Sequence, residues 1–441
     1  MAHILPPEPI TDLGGYEAWR DSAAMTEAHR LGPDGVIAEI RRSGLRGRGG
    51  AGFPTGVKWA GLAASGAATR FVACNAAEGE PGTFKDRMIL RRNPHQVVEG
   101  LAVAAFATGA DRAFLCIKEK FFVEARRVEA AALELSEADR LGGIEVVVVE
   151  GPDDYLFGEE KGMLEVIEGR DPLPRLYPPY VQGLFEERGG PAQPVVVNNV
   201  ETLANVPAIL ERGAEWHRGI GTEQSPGTVV CTIGGDVEVE GVAEIELGTP
   251  LRTVIEQVGG GVRAGGRAAI TLNGVSNAPL REAELDAALS MEGMRAIGSG
   301  IGSAGFTVFD ETMCPLRVVV AASAFLYRGS CGQCPSCKLG TEAITSRLAA
   351  IVMGRGDLTD LEEVSAWTLR VTDANRCGLG AGERALVAGF VERYADEIAA
   401  HAVGAGCGRQ RAAYVPSIVD YDEDTARFTY AQPVLEDAPG S

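Results

Sequence analysis

The chain has 441 residues, 45% of them apolar and 23% charged, and Asp plus Glu outnumber Lys plus Arg by 61 to 41, a formal charge of −20. At roughly 150 residues per domain this length predicts about three domains, and the composition excludes the disordered and collagen-like classes. A surface of this sign repels phosphate backbones and anionic head groups, which argues against nucleic acid as a partner.

The amino terminus, "MAHILPPEPITDLGG", lacks the basic segment and apolar run of a secretory signal. The longest apolar stretches, near residues 100 and 320, are too short or too interrupted to span a bilayer. A cytoplasmic protein is expected, or one docked on a membrane complex through other subunits, with no insertion of its own. Nine cysteines, an odd number with three crowded together, favour a reducing compartment and ligand chemistry over disulfides.

Val36, Ile37 and Ile40 in "GVIAEIRR" have the spacing of one helical face, and that helix stops in the glycine cluster "GLRGRGGAGFPTG". A short apolar run, "RFVACNA", leads to an acidic loop and then a helix through "PHQVVEGLAVAAFATG". "AFLCIK" reads as a strand, the next segment as a helix, and "GGIEVVVVEG" as a buried strand. Such alternation implies a parallel sheet. From about residue 228 two or three short β-rich runs precede a helix, "TPLRTVIEQVGG", and a strand, "AAITLNG": a small ββαβ unit. After "GFTVFDE" the chain becomes helical, and the acidic, proline-bearing end is expected to run over the surface.

"SCGQCPSCKLG" places Cys331, Cys334 and Cys337 at spacings of three. Three thiolates so spaced can hold three corners of a [4Fe–4S] cubane, with a fourth sulfur from elsewhere. Cys377, beyond two predicted helices, is the candidate that a helical hairpin can return. Cys314 and Cys407 are the weaker alternatives, and zinc is a competing reading that would more naturally show two separated pairs. Gly47, Gly49 and Gly52 satisfy G-x-G-x-x-G, but a helix precedes them and Phe53-Pro54 follows, so the dinucleotide fingerprint fails on context. Glycines without Cβ still let backbone amides approach a phosphate or flat ring, with Arg46, Arg48 and Lys58 as local positive charge. An ordinary surface loop is the bland alternative.

With "CNAAEGEPGTFKDR", "GEEKGMLEVIEG" and "NNVETLANVP", these motifs follow one another in an order that resembles the NADH-binding flavoprotein subunit of respiratory complex I. The same module recurs in NAD-linked hydrogenases, formate dehydrogenases and electron-bifurcating complexes. The likeness runs from about residue 35 to about 395. It implies an α/β fold in four parts: a Rossmann-like FMN/NADH domain with an amino-terminal arm (1–225), a ubiquitin-like β-grasp domain (226–310), a helical [4Fe–4S] domain (311–400) and an acidic tail (401–441). By the resemblance Gly47, Arg48, Gly49, Gly50, Lys58, Asn75 and Glu78 line the flavin pocket. Tyr155, Gly158, Glu159 and Glu160 lie near its ring, and Asn198, Asn199 and Thr202 lie towards its phosphate. Phe53, Glu80 and Tyr180 meet NADH, and Cys331, Cys334, Cys337 and Cys377 hold the cluster.

Three departures stand out. Ala77 replaces a carboxylate in "NAAE", Phe157 and Lys161 alter "FGEEK", and Tyr177 and Tyr180 flank the proline pair. The implied activity is hydride transfer from NADH to FMN, followed by release of single electrons to the cluster and on to partner iron–sulfur subunits, a thioredoxin-like [2Fe–2S] protein among them. Glu159 and Glu160 are the candidate catalytic pair, or else a solvated acidic pair. The alternatives are an NAD-linked module of a formate dehydrogenase, hydrogenase or bifurcating reductase, and an electron-conducting structural subunit with a degenerate NADH site.

Overall fold

The computed structural model describes residues 3–20, 24–110, 112–186, 190, 193–415 and 417–431. The chain forms two compact units: Met1–Gly79 with Phe84–Val230 and Ala243–Gly248, and Glu80–Thr83 with Cys231–Val242 and Thr249–Ser441.

The first unit is built on β1 (Phe71–Ala76), β2 (Arg112–Lys118), β3 (Glu145–Gly151) and β4 (Val195–Asn199), in the order β3-β2-β1-β4. Every pairing among them is parallel. Parallel neighbours need crossovers, and helices supply them: Lys85–Arg92 and Pro94–Thr108 between β1 and β2, and Phe122–Glu137 between β2 and β3. The Pro94–Thr108 helix opens on proline, whose missing N–H costs nothing in the first turn, and ends at Gly109 in a left-handed conformation. It is buried on nearly all sides. A Cβ on Gly100 would lie 2.2 Å from the Leu203 carbonyl, so glycine is what lets this helix close on the Val200–Arg212 helix.

β1 lies between β2 and β4, so the chain leaves it in one direction through β2 and β3 and returns on its other side at β4. Such a reversal opens a crevice outside the carboxyl ends of the strands. Asn75, at the end of β1, and Asn198 and Asn199, at the end of β4, stand at that place in register. β4 is a strand that the sequence pattern did not identify.

A second sheet consists of β5 (Thr228–Gly235), β6 (Gly241–Glu246), β7 (Ala268–Asn273) and β8 (Gly305–Asp310) in the order β6-β5-β8-β7, with the Leu251–Gly259 helix between β6 and β7. Five helices follow: Pro315–Gly329, Pro335–Val352, Leu358–Arg370, Leu379–Arg393 and Ala395–Ala402. The segment expected to run over the surface as a tail carries regular structure. β9 (Ile418–Asp422) and β10 (Arg427–Tyr430) form an antiparallel hairpin. Glu240 fixes it, accepting the Phe428 N–H at 2.8 Å and the Tyr430 hydroxyl. Residues 432–441 lie outside the described residues.

Candidate functional site

The glycine cluster follows the Ala24–Ser43 helix, as its sequence context implied, and leads into a helix the sequence pattern did not identify, Thr55–Ala63. The loop is closed at its base by Gly47 N–H to Phe53 O at 2.9 Å and Thr55 N–H to Leu45 O at 2.9 Å. Gly50 (φ 127°) and Gly52 (φ 62°) hold conformations that side chains resist. A Cβ on Gly49 would come within 3.2 Å of the Asn199 Cβ, which brings the loop directly against the end of β4.

Asn199 is clamped from three sides. Its side chain caps the Val200–Arg212 helix by accepting the Glu201 N–H at 3.0 Å. It also accepts from Lys85 Nζ at 3.1 Å and donates to Asp86 Oδ2 at 2.7 Å. Lys85 in turn meets Asp86 at 2.7 Å and Glu201 at 3.0 Å, all three buried. Burial pushes the Asp86 carboxyl up to about 6 against the pull of Lys85. Sequence reasoning missed Lys85, Asp86 and Glu201 as supports, although "FKDR" and "NNVE" put their charges inside the quoted motifs.

The other expected site residues divide into those that face the crevice and those occupied in holding it. Lys58 Nζ donates to the Val197 carbonyl at 2.8 Å and lies 3.3 Å from Glu160 Oε2, with both side chains about one-third exposed or more. Asn198 accepts the Trp59 indole N–H at 2.9 Å. Asn75 donates to the Gly158 carbonyl at 2.7 Å and accepts the Ala77 N–H at 3.1 Å. Tyr155 and Gly158 belong to the single 3₁₀ turn Tyr155–Gly158 that this bond secures. Thus the loop after β3 is tied to the end of β1.

Arg48 holds structure. Its buried guanidinium donates to the carbonyls of Thr228, Pro226 and Arg46, while its backbone N–H donates to the buried Thr202 hydroxyl at 2.9 Å. Glu78 receives the Asp86 N–H and Arg87 Nε, each at 3.2 Å. Glu159 is the N-cap of the Glu160–Ile167 helix, accepting the N–H groups of Lys161 at 2.9 Å and Gly162 at 3.0 Å. Burial raises its carboxyl to about 7, with those amides opposing. Of the candidate acidic pair, then, Glu160 is the member turned to a cation in the crevice. Phe53, Tyr177 and Tyr180 expose their rings. Phe157 is fully buried against Gly151, and Ala77 belongs to the same apolar cluster. Glu80 falls in the second unit, where its carboxylate accepts the Val275 N–H at 2.7 Å.

The residues present fit a flavin nucleotide: a glycine backbone that a Cβ would obstruct, a part-exposed ammonium at Lys58, and the amino end of a 13-residue helix, whose dipole favours an anion. The polar cavity of the second unit, around Asp236, Glu240, Arg411 and Tyr430, is lined by none of the expected site residues.

In the second unit Cys334 is the N-cap of the Pro335–Val352 helix and Cys337 lies in its first turn, where the helix dipole favours thiolate. Cys331 precedes them across Gly332, whose φ of 78° turns the loop. Cys377 comes just before the Leu379–Arg393 helix, and the N–H of its neighbour Arg376 donates to Cys334 Sγ at 3.2 Å. The long excursion between them is closed by Ser336 Oγ, which lies 3.0 Å from Asn375 Oδ1. Burial raises the Cys337 thiol; the Ser330 hydroxyl 3.5 Å away lowers it, and Cys334 and Cys331 raise it further. Thiolates gathered this way need a cation to neutralise them. Three cysteines at spacings of three, with a fourth in the segment that Arg376 N–H ties to Cys334, are a donor set that fits a cubane.

Residues 40–208 match the family described as the Nuo51 FMN-binding domain, and residues 317–401 match the NADH-ubiquinone oxidoreductase-F iron-sulfur binding region. The second NADH-quinone oxidoreductase F protein of Rhizobium meliloti (strain 1021) is 38% identical over 399 residues, covering 88% of this chain and 92% of that one. The NADP-reducing hydrogenase protein HndC of Solidesulfovibrio fructosivorans is 34% identical over 439 residues, 97% of this chain and 86% of that one. A solved NAD+-reducing [NiFe]-hydrogenase in the H2-reduced state superposes with a TM-score of 0.79 at 31% identity, covering 89% of this chain and 68% of its own. With two family matches in the expected order and relatives similar along most of its length, the chain belongs to the NADH-quinone oxidoreductase-F family.

Proposed function

We propose that this chain is the NADH-oxidising component of a multisubunit redox complex, with FMN in the crevice at the ends of β1 and β4 and a [4Fe–4S] cluster on Cys331, Cys334, Cys337 and Cys377. The observation that supports the reading is the occurrence, in one chain, of a glycine loop beside the end of β4 at a strand reversal and a cysteine triad at a helix start to which the Arg376 N–H, next to Cys377, is bonded. FMN held there would supply hydride acceptance from NADH and release of single electrons, and the four cysteines would hold the cluster that takes them one at a time. The protein needs no general base for this chemistry. Its part is placement and exclusion of water. Asn75 holds the Tyr155–Gly158 turn, Asn199 lies beside Gly49 of the glycine loop, and Lys58 and Glu160 present charge at the mouth. The exposed rings of Phe53 and Tyr180 offer faces on which flat bases stack.

The finer division follows the same reading: an FMN/NADH domain over 1–225, a β-grasp domain over 226–310 and a helical cluster domain over 311–400, with the remaining residues contributing the β9–β10 hairpin. Partner iron–sulfur subunits, a thioredoxin-like [2Fe–2S] protein among them, would receive the electrons. Among the described residues no helix is long and apolar enough to cross a membrane, so attachment to one would run through such partners.

A second output is favoured by one observation. The hydrogenase relative aligns with 97% of this chain, against 88% for the quinone-linked relative. Isolating the native complex and identifying its other subunits separates the two readings. A flavin and iron assay with an NADH titration under argon tests the shared core and eliminates a purely conducting role if the flavin bleaches.

A further inference from the structure

The nine cysteines divide by position. Four are the proposed cluster ligands and three (Cys74, Cys116 and Cys231) are buried in strands. The remaining two, Cys314 and Cys407, meet each other in the second unit, 93 positions apart in sequence. With Glu397 and His401 they form a group whose four ligand atoms all lie within 4.8 Å of one another. Cys314 Sγ is 3.5 Å from His401 Nε2.

Each member is delivered by local structure. Cys314 is the buried N-cap of the Pro315–Gly329 helix, which places its sulfur at the amino end of that helix. Glu397 and His401 are four residues apart on the Ala395–Ala402 helix and so share a face. Gly404, Gly406 and Gly408, all at positive φ, turn the chain after that helix so that Cys407 comes back to its end. Two N–H groups of this loop, Ala405 and Gly406, bond the Ala400 carbonyl and fix the return.

The charge is also arranged. Two thiolates and one carboxylate exceed the charge of a divalent ion by one. Arg409 donates to Glu397 Oε1 at 2.8 Å, leaving the second oxygen for the group, and Arg317 acts electrostatically on His401. The Arg317 Nε is buried and makes no hydrogen bond among the described residues.

We propose that Cys314, Glu397, His401 and Cys407 form a second metal site, for a tetrahedral ion of the zinc class. Two sulfurs, one imidazole and one carboxylate suit zinc, and the close spacing of their ligand atoms suits a single ion. The site would cross-link the first and last helices of the segment that carries the cluster. Its role would be structural, because four protein ligands leave no open position.

The test uses the full chain purified under argon from zinc-replete cells, with zinc and iron measured separately and the zinc K-edge absorption spectrum recorded. The expected result is one zinc per chain, with two sulfur scatterers at about 2.3 Å and two nitrogen or oxygen scatterers at about 2.0 Å. Cys407→Ala and His401→Ala should each lose that zinc while iron and flavin stay at the level of the unaltered chain. Should a variant fail to fold, a zinc chelator applied to the unaltered chain should lower its melting temperature and leave iron in place. Absence of zinc from the reduced chain even after added zinc, an unchanged zinc shell in Cys407→Ala, or a Cys314–Cys407 disulfide by mass spectrometry would each overturn the proposal.

Discussion

The backbone N–H of Arg376 donates to Cys334 Sγ at 3.2 Å, across 42 positions of chain. This bond brings the segment containing Cys377 to the triad, and it supports the proposal of Cys377 rather than Cys314 or Cys407 as the source of the fourth sulfur. Cys377→Ser is expected to abolish or severely alter the cluster signal in electron paramagnetic resonance and to lower bound iron. Cys407→Ser should leave that signal as it is. An unchanged spectrum in Cys377→Ser would move the fourth ligand elsewhere.

Glu159 and Glu160 are adjacent in sequence but occupied differently. Glu159→Ala removes an N-cap and should cost about 1 kcal/mol of stability. Glu160→Gln keeps the fold within about 0.5 kcal/mol, as half-exposed substitutions do, and should change kcat/KM for NADH several-fold, on the order of 1 kcal/mol. Melting curves and steady-state rates with an artificial acceptor separate the two effects. Equal kinetics for Glu160→Gln and the unaltered chain would reduce that residue to scaffold.

Gly49→Ala would place a methyl 3.2 Å from the Asn199 Cβ and should reduce the flavin bound per chain. Gly61→Ala, in the Thr55–Ala63 helix with nothing within 4 Å, is the matched control. It should raise stability by up to about 1 kcal/mol through helix propensity and leave flavin content alone. Full flavin occupancy in Gly49→Ala would show that the loop does not approach the cofactor.

Glu244 accepts the N–H groups of His3, Ile4 and Leu5 at 2.9 to 3.2 Å and meets His3 Nδ1 at 2.9 Å. Burial pushes its carboxyl up, but these partners outweigh it and bring the group down to about 2. A folded value below the unfolded one stabilises at pH above the unfolded value, and that stability is lost as pH falls towards about 2. Over this window the contribution is roughly 3 kcal/mol. Glu244→Gln should flatten the dependence of the melting temperature on pH between about 4.5 and 2, and an unaltered slope would remove Glu244 as its cause.

Much of this arrangement could be read from sequence where the signal is local. β1 and β2 announce themselves as apolar runs, and the Pro335–Val352 helix by its proline after Cys334. β4 escaped notice because it passes into a helix at Asn199 with no turn between them. The β9–β10 hairpin was hidden by its acidic residues, since only Ile418 and Phe428 are buried in it. Glu159 carried a legible capping signal, an acid just before a helix, that its motif made look chemical. Contacts such as Glu244 with residues 3–5, or Cys314 with Cys407, join distant segments and leave no mark on local pattern.

The most direct measurement is an anaerobic NADH titration of the purified chain, followed in parallel by flavin absorbance and cluster paramagnetic resonance. Bleaching of bound FMN at stoichiometric NADH together with a reduced-cluster signal is the expected result. A chain that holds both groups after reconstitution yet shows neither change on adding NADH would contradict the assignment of electron entry to this protein.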